Sequence, residues 1–265
     1  MKRWLLVVVS FWAICANGAD WQKTLTSPKP NGAVQLRPLK AKYTFGWSAF
    51  TAADADFDFA RPVNGALKLS VKTQTSGFVR TLWRMDARHT SQIRAADFRP
   101  VTVVQTETYK DGTRTTKLAF DGEGVDRTRD NSPPKPDAKK KTKRFKFDRM
   151  YDLHGALQMM RSQPLRTGEM HRLVVYASSA PYLAQITVMG REKIAVAGRK
   201  YDALRADLKL WRIDDDDLEL KSYRKLRRAN VWVSDDADRL LLKAEAEIFV
   251  GSVWAELTSV QFMHR

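Results

Sequence analysis

The chain has 265 residues, with 46 Lys or Arg against 30 Asp or Glu, and a formal charge of +16 at pH 7. Its single cysteine, Cys15, excludes an intrachain disulfide framework and a thiolate metal cluster. An excess of positive charge this large suggests either an anionic partner or a surface kept soluble by repulsion.

Residues 1–19 narrow the choice of partner. Lys2 and Arg3 precede an apolar run from Trp4 to Ile14 broken only by Ser10, and the small residues Ala16, Gly18 and Ala19 follow. That is the three-part pattern of a cleaved secretory signal. The run is too short for a membrane span, which takes about 20 apolar residues. Cys15 could instead mark lipidation, but Ile14 stands where a small residue is expected. Cleavage near Ala19 removes the only cysteine, and export removes nucleic acid as a partner. Anionic lipid head groups, lipopolysaccharide and acidic cell-wall polymers remain, reached through peripheral contact with a membrane or wall.

Residues 20–40 read as an N-terminal extension, and 41–265 as one β-rich domain. Ala55, Phe57 and Phe59 share a face, as do Leu67, Leu69 and Val71 after a turn at Pro62 to Gly65. Thr102 to Tyr109 and Thr113 to Phe120 flank Asp111-Gly112, a hairpin signal. From 126 to 146, nine Lys or Arg, three Asp and three prolines predict a mobile, basic loop. A helix is expected after Asp152, its N-cap, with Leu153, Ala156, Leu157 and Met160 as its apolar stripe and Pro164 ending it.

Beyond the helix, Leu173 to Tyr176, Gln185 to Met189 and Lys193 to Ala197 read as strands, with Gly190 and Gly198 in turns. Leu204 to Leu210 alternates. A last hairpin joins Ala229–Val233 to Leu240–Val250 through an Asp-rich turn, and Ser252 to Phe262 closes the chain. The fold class is mainly β: a curved antiparallel sheet or partly open β-barrel with one short mid-chain helix. Trp21, Trp47, Trp83, Trp211, Trp232 and Trp254 fill a core or line a pocket, the core being the simpler reading.

Chemistry is sparse. The sequence holds no G-x-S-x-G elbow, H-E-x-x-H helix, phosphate loop or dinucleotide fingerprint, and nothing suggests a metal or cofactor. His154 and His171 would meet only if helix and following strand fold back on each other. The runs Asp214–Asp217 and Asp235–Asp238 read as solvated turns. Candidate anion-binding residues are Lys139, Lys140, Lys141, Lys143 and Arg144 in the basic loop. Arg224, Arg227 and Arg228 form a second group, which could instead pair with the acidic run before it.

Several segments resemble the domain-of-unknown-function family 3108. They are Tyr151 to Leu157 with Arg161 to Leu165 and Gly168, Gly190-Arg191-Glu192, and Val231 to Arg239 with Gly251-Ser252-Val253. Ser76-Gly77-Phe78 and Phe98-Arg99-Pro100 add to the likeness, which covers roughly Ala41 to Leu257. It implies an exported bacterial envelope protein with an antiparallel β fold, and brings no catalytic residue or cofactor. The lysine-rich insertion departs from the family pattern. The functional expectation is a non-enzymatic protein that binds an apolar, amphipathic or anionic envelope ligand. The alternatives are an envelope glycan or lipid hydrolase using residues such as His154 and Asp235, and an interaction scaffold.

Overall fold

The computed structural model describes residues 20–29, 36–60, 62–134 and 141–263; the signal-like segment, Lys139, Lys140 and His264 lie outside them. The strands are β1 (Leu39–Trp47), β2 (Phe50–Phe59), β3 (Ala66–Thr75), β4 (Met85–Arg94), β5 (Pro100–Tyr109), β6 (Gly112–Phe120), β7 (Gly124–Ser132) and β8 (Lys141–Lys146). After them come β9 (Met150–Tyr151), β10 (Met170–Ala177), β11 (Ala180–Val196), β12 (Arg199–Ile213), β13 (Leu220–Ser222), β14 (Leu226–Ser234), β15 (Leu241–Ile248) and β16 (Gly251–Phe262). Helix α1 (Gly77–Leu82) links β3 to β4, α2 (Leu153–Arg161) links β9 to β10, and a 3-10 turn spans Asp20–Thr24.

All the strands belong to one sheet, ordered β8-β7-β6-β5-β4-β3-β2-β1-β16-β15-β14-β12-β11-β10-β9, with β13 beside β12. Pairing is antiparallel except where β9 meets β10. Hairpins join most neighbours. β12–β14 and β9–β10 have β13 and α2 between them, and β1 pairs with β16 in a ladder that brings the two ends of the described chain together at mid-sheet.

Reach alone shows that the sheet is rolled. Fifteen strands laid flat would set the edges about 65 Å apart. Yet the edge strands β8 and β9 are separated in the chain by residues 147–149 only, a span of about 14 Å. The sheet therefore curls until its edges approach. One core cluster draws on β1 to β4, β10 to β12, β14 to β16 and α2. A second packs β5 to β8 against β10 to β12.

The N-terminal segment lies along the seam. Trp21 is buried and stacks on Phe147, with ring centroids 5.6 Å apart. Thr26 N–H donates to the Arg172 carbonyl at 2.9 Å, and Arg172 N–H donates back to the Thr26 hydroxyl at 3.0 Å. Part of the outer edge of β10 is thus occupied, which removes a template for pairing with another chain.

Several expectations change. The basic stretch 126–146 is mostly strand: β7 and β8 pair from Gly124↔Lys146 to Arg129↔Lys141. Backbone groups make that ladder whatever the side chains, and Val125 and Phe145 are buried, which a composition argument does not detect. Gly190 is not a turn but follows a bulge in β11, where the register with β12 shifts between Val188 and Gly190. Phe249 and Val250 make a turn instead of ending a strand. Helix α1 is an addition. The turn at Asn64-Gly65 is as expected, both residues taking positive φ (49° and 75°) between paired Val63 and Ala66.

Helix α2 forms where its cap and proline place it, with Asp152 accepting from Gly155 N–H at 2.9 Å. Its buried face differs from the apolar stripe. Leu153 is exposed, while His154, Gln158, Met159 and Arg161 are buried. The helix sits inside the curl of the sheet, so its polar side is covered as well. A helix of nine residues would not persist alone; packing holds it.

Candidate functional site

Among the described residues, the space beside α2 is small. Between α2 and β1–β3 lies a void of about 30 Å³, bordered by Leu39, Tyr43, Phe59, Val71, Leu157 and Arg161. That is space for a water or two. Arg161 Nε donates to the Asp238 carbonyl at 2.9 Å, and its Nη1 donates to Gln158 Oε1 at 2.7 Å. Its guanidinium lies over the Phe59 ring at 5.5 Å, and Nη2 is buried without a protein partner. Burial lowers the Arg161 pKa to about 10, so it stays charged at neutral pH. Burial also pushes the Tyr43 phenol upward, and its hydroxyl donates to the Leu241 carbonyl at 2.7 Å.

The histidines do not assemble a catalytic or metal site. His154 meets His89 of β4, not His171, with ring centroids 6.4 Å apart and near-perpendicular planes. His171 lies 3.8 Å from Glu169. Among the described residues no three His, Cys, Asp or Glu converge as a metal cage. Asp235 is held by Arg191 at 2.5 Å and Arg239 at 2.8 Å, which keeps its carboxyl below the usual range. The Asp236 carboxylate accepts from Ser234 Oγ and from the N–H groups of Asp238 and Arg239, the turn role its composition suggested.

A pH dependence follows. Burial lowers the pKa of His89, His154 and His171. For His89 a charged His154 adds to the lowering and Glu107 opposes it. Asp152 opposes it at His154, and Glu169 does so at His171. The unfolded chain then binds more protons than the folded one below pH 6.5, so stability is full above that value and falls on acidification. The melting temperature is expected to drop between pH 7.5 and pH 5, and the drop should shrink in His89→Gln/His154→Gln. Carboxylates with lowered pKa, such as Asp86 and Asp121, act only below about pH 4 and do not blur this window. A flat profile from pH 7.5 to 5 would count against neutral, buried imidazoles.

The candidate basic residues separate into two kinds. Lys139 and Lys140 lie outside the described residues, and Lys141 opens β8. Lys143 is paired with Asp215, and Arg144 bridges Asp121 at 2.7 Å and Asp126 at 2.8 Å. Their charge is largely met from within. Arg224, Arg227 and Arg228 are exposed, and only Arg228 approaches a described carboxylate, Glu247 at 3.9 Å. The acidic run pairs with Lys143 and Lys221 instead of this group.

Composition did not reveal what surrounds Arg224. The turns β1–β2, β3–β4, β5–β6, β10–β11, β12–β13 and β15–β16 and the start of β14 lie at one end of the sheet, as antiparallel order requires, so the acidic turn Asp214–Asp217 stands beside Arg224 there. That end exposes Trp47, Phe50, Phe78, Leu82, Trp83, Phe249 and Val250. Trp47 Nε1 donates to the Val250 carbonyl at 3.0 Å, tying two tips together. Trp83 lies against Tyr109 at 6.2 Å, and Arg114 sits over the Tyr109 ring at 5.6 Å. Trp21 and Trp232 are core residues, but Trp47 and Trp83 are not, because hairpin tips project past the packed layer. Apolar residues in turn positions were the available signal, since turns are ordinarily polar. Outside the sheet, a groove of about 610 Å³ runs beneath α1, with Asp54, Lys72, Arg80 and Asp86 among its walls. Arg80 and Asp86 pair across it at 2.7 Å.

A family model described as "Protein of unknown function (DUF3108)" matches residues 42–258. No curated protein matches the chain. Among solved structures, a beta-barrel-like protein of the DUF1849 family from Brucella abortus aligns at TM-score 0.58 and 9% identity, covering 87% of this chain and 99% of its own. That likeness is one of fold. The MucA/MucB complex of Pseudomonas aeruginosa aligns at TM-score 0.34 and 10% identity, covering 94% of this chain and 58% of its own. A DUF1089 family protein from Pseudomonas aeruginosa aligns at TM-score 0.34 and 8% identity, covering 74% and 90%. Neither of these two carries an argument.

Proposed function

The chain belongs to the DUF3108 family, and from that premise we propose a non-enzymatic, exported protein of the bacterial envelope that binds an anionic, amphipathic envelope component at its surface. The observation that carries this reading is a group of exposed apolar tips beside Arg224, Arg227 and Arg228, of which only Arg228 approaches a described carboxylate. The leader-like residues 1–19 and the charge of +16 support the location and the sign of the partner. An interior carrier is the less favoured reading, since the space behind α2 holds a water or two. A hydrolase built on His154 and Asp235 is less favoured too, with one buried against His89 and the other clamped by two arginines.

Binding of the purified chain to anionic phospholipid vesicles, lipopolysaccharide and an acidic cell-wall polymer tests the proposal. Retention on at least one of them is expected, falling steeply between 0.05 and 0.5 M salt as screening shortens the reach of charge. Absence of binding to all three at low salt would overturn it.

A further inference from the structure

We propose that Arg127 and Arg129 of β7, with Arg114 of β6, hold a phosphomonoester group on the inner face of the sheet. The inference goes beyond the surface-binding reading, since these arginines belong to a wall of the sheet and not to its tips.

Register places the three side chains together. Thr116 pairs with Arg129, Leu118 with Arg127, and Arg114 with Asn131. Partners across an antiparallel ladder share a face, and so do alternate residues of one strand. Leu118 and Val125 are buried in the second core cluster, so Arg127 and Arg129 face inward with them. Arg129 Nε donates to the Thr116 hydroxyl at 3.3 Å, and Arg127 Nη1 donates to the Ser179 carbonyl at 3.2 Å. Both residues are half-buried, so each keeps a side open to solvent.

These arginines stand out by charge without a counter-charge. Arg37, Arg80, Arg144 and Arg239 are also half-buried, and each meets a carboxylate. Among the described residues Arg127 and Arg129 form no ion pair, and Arg114 has Glu107 at 3.7 Å. Other acids are turned away or engaged. Asp126 and Asp130 alternate onto the outer face, where Asp126 meets Arg144. In the acidic β12–β13 turn, Asp215 is taken by Lys143 and Asp214 by Lys221. Burial and the charges of Arg127 and Arg114 hold the Arg129 guanidinium below its ordinary value, opposed by Glu107 and Tyr176. The buried Tyr176 phenol is pushed up by burial and drawn back by Arg127, Arg129 and Arg212. One edge of Arg127 is unmet as well, its Nε being buried without a protein partner. Arginines that repel one another within a fold weaken it until an anion joins them.

Spacing and charge select the anion. Arg127 and Arg129 stand about 6.6 Å apart along the strand, which lets two guanidinium forks close on one tetrahedral group. Three cations against the Glu107 carboxylate leave a surplus of two. A phosphomonoester carries about −1.5 to −2 at pH 7, whereas a carboxylate or phosphodiester carries about −1.

The test is titration of the purified chain with inorganic phosphate and with dihexanoyl phosphatidic acid, chloride matching the ionic strength. Phosphorus NMR line broadening and the melting temperature report binding. Wild type is expected to bind saturably and to melt higher with ligand than with chloride. Arg127→Gln/Arg129→Gln should bind at least about tenfold more weakly, having lost charged hydrogen bonds. If that variant folds poorly, Arg129→Lys decides, since it keeps the charge, loses the fork and should still weaken binding. Tighter binding of the phosphatidic acid assigns the phosphoryl group to a lipid, and equal binding assigns it to free phosphate. Arg224→Gln/Arg227→Gln should bind phosphate as wild type does; loss of binding there would move the anion to the surface group and overturn this site. Phosphate that stabilises wild type no more than chloride does overturns it too, as does undiminished binding by the folded Arg127 and Arg129 variants. Neither result touches retention on vesicles or wall polymer, which the surface-binding reading predicts by itself.

Discussion

Replacing Arg161 by alanine is expected to destabilise the protein by about 4 kcal/mol, measured by urea unfolding followed by tryptophan emission. The change strands two buried acceptors, the Asp238 carbonyl and Gln158 Oε1, at about 1–3 kcal/mol each. It also opens a cavity under Phe59. Part of that loss is returned, because holding a charge at this depth is itself costly, as the lowered pKa shows. Arg161→Met keeps most of the volume and removes the charge, so it should cost about half as much. If alanine and methionine cost the same, under about 1 kcal/mol, the arginine does not tie α2 to the β14–β15 turn.

Gly155→Ala is expected to cost about 3 kcal/mol, although alanine is the better helix former by about 1 kcal/mol. A Cβ there would stand 2.4 Å from the Phe98 carbonyl oxygen and 2.8 Å from Asp152 Oδ1. The first neighbour is backbone, in a corner where Phe98 already takes φ 59°. The helix must therefore withdraw from the β4–β5 corner, weakening its cap and loosening Met159 behind it. Gly190→Ala is the control: nothing lies within 4 Å of its Cβ, and its melting temperature should hardly move. A Gly155→Ala protein as stable as wild type would mean that the helix does not press on that corner.

Strands whose inward residues are apolar were legible. β3 shows Leu67, Leu69 and Val71 to the interior, and β12 carries Leu204, Ala206, Leu208 and Leu210 in alternation. β4 was not, because its inward positions are Ala87, His89, Ser91 and Ile93, of which only Ile93 is strongly apolar. Its polarity is tolerated where α2 covers it and His154 faces His89. The segments that carried the family likeness turn out to be clamps. Arg191 and Glu192 hold Asp235 and Trp232, and the Phe98 corner receives Gly155. The basic residues were named correctly as types but not by environment, since the acids that neutralise Lys143 and Arg144 come from elsewhere in the chain. The exposed apolar residues at the tips come from three turns far apart in sequence, and only the sheet order brings them to one end.

Because β1 takes its second partner from β16, it waits with one flank bare until Gly251–Phe262 arrive. Growth from the ribosome cannot finish this architecture in stages. Removing β16 would slit the sheet down its centre, leaving the flank of β1 that runs past Leu39, Ala41 and Tyr43 able to recruit a foreign strand.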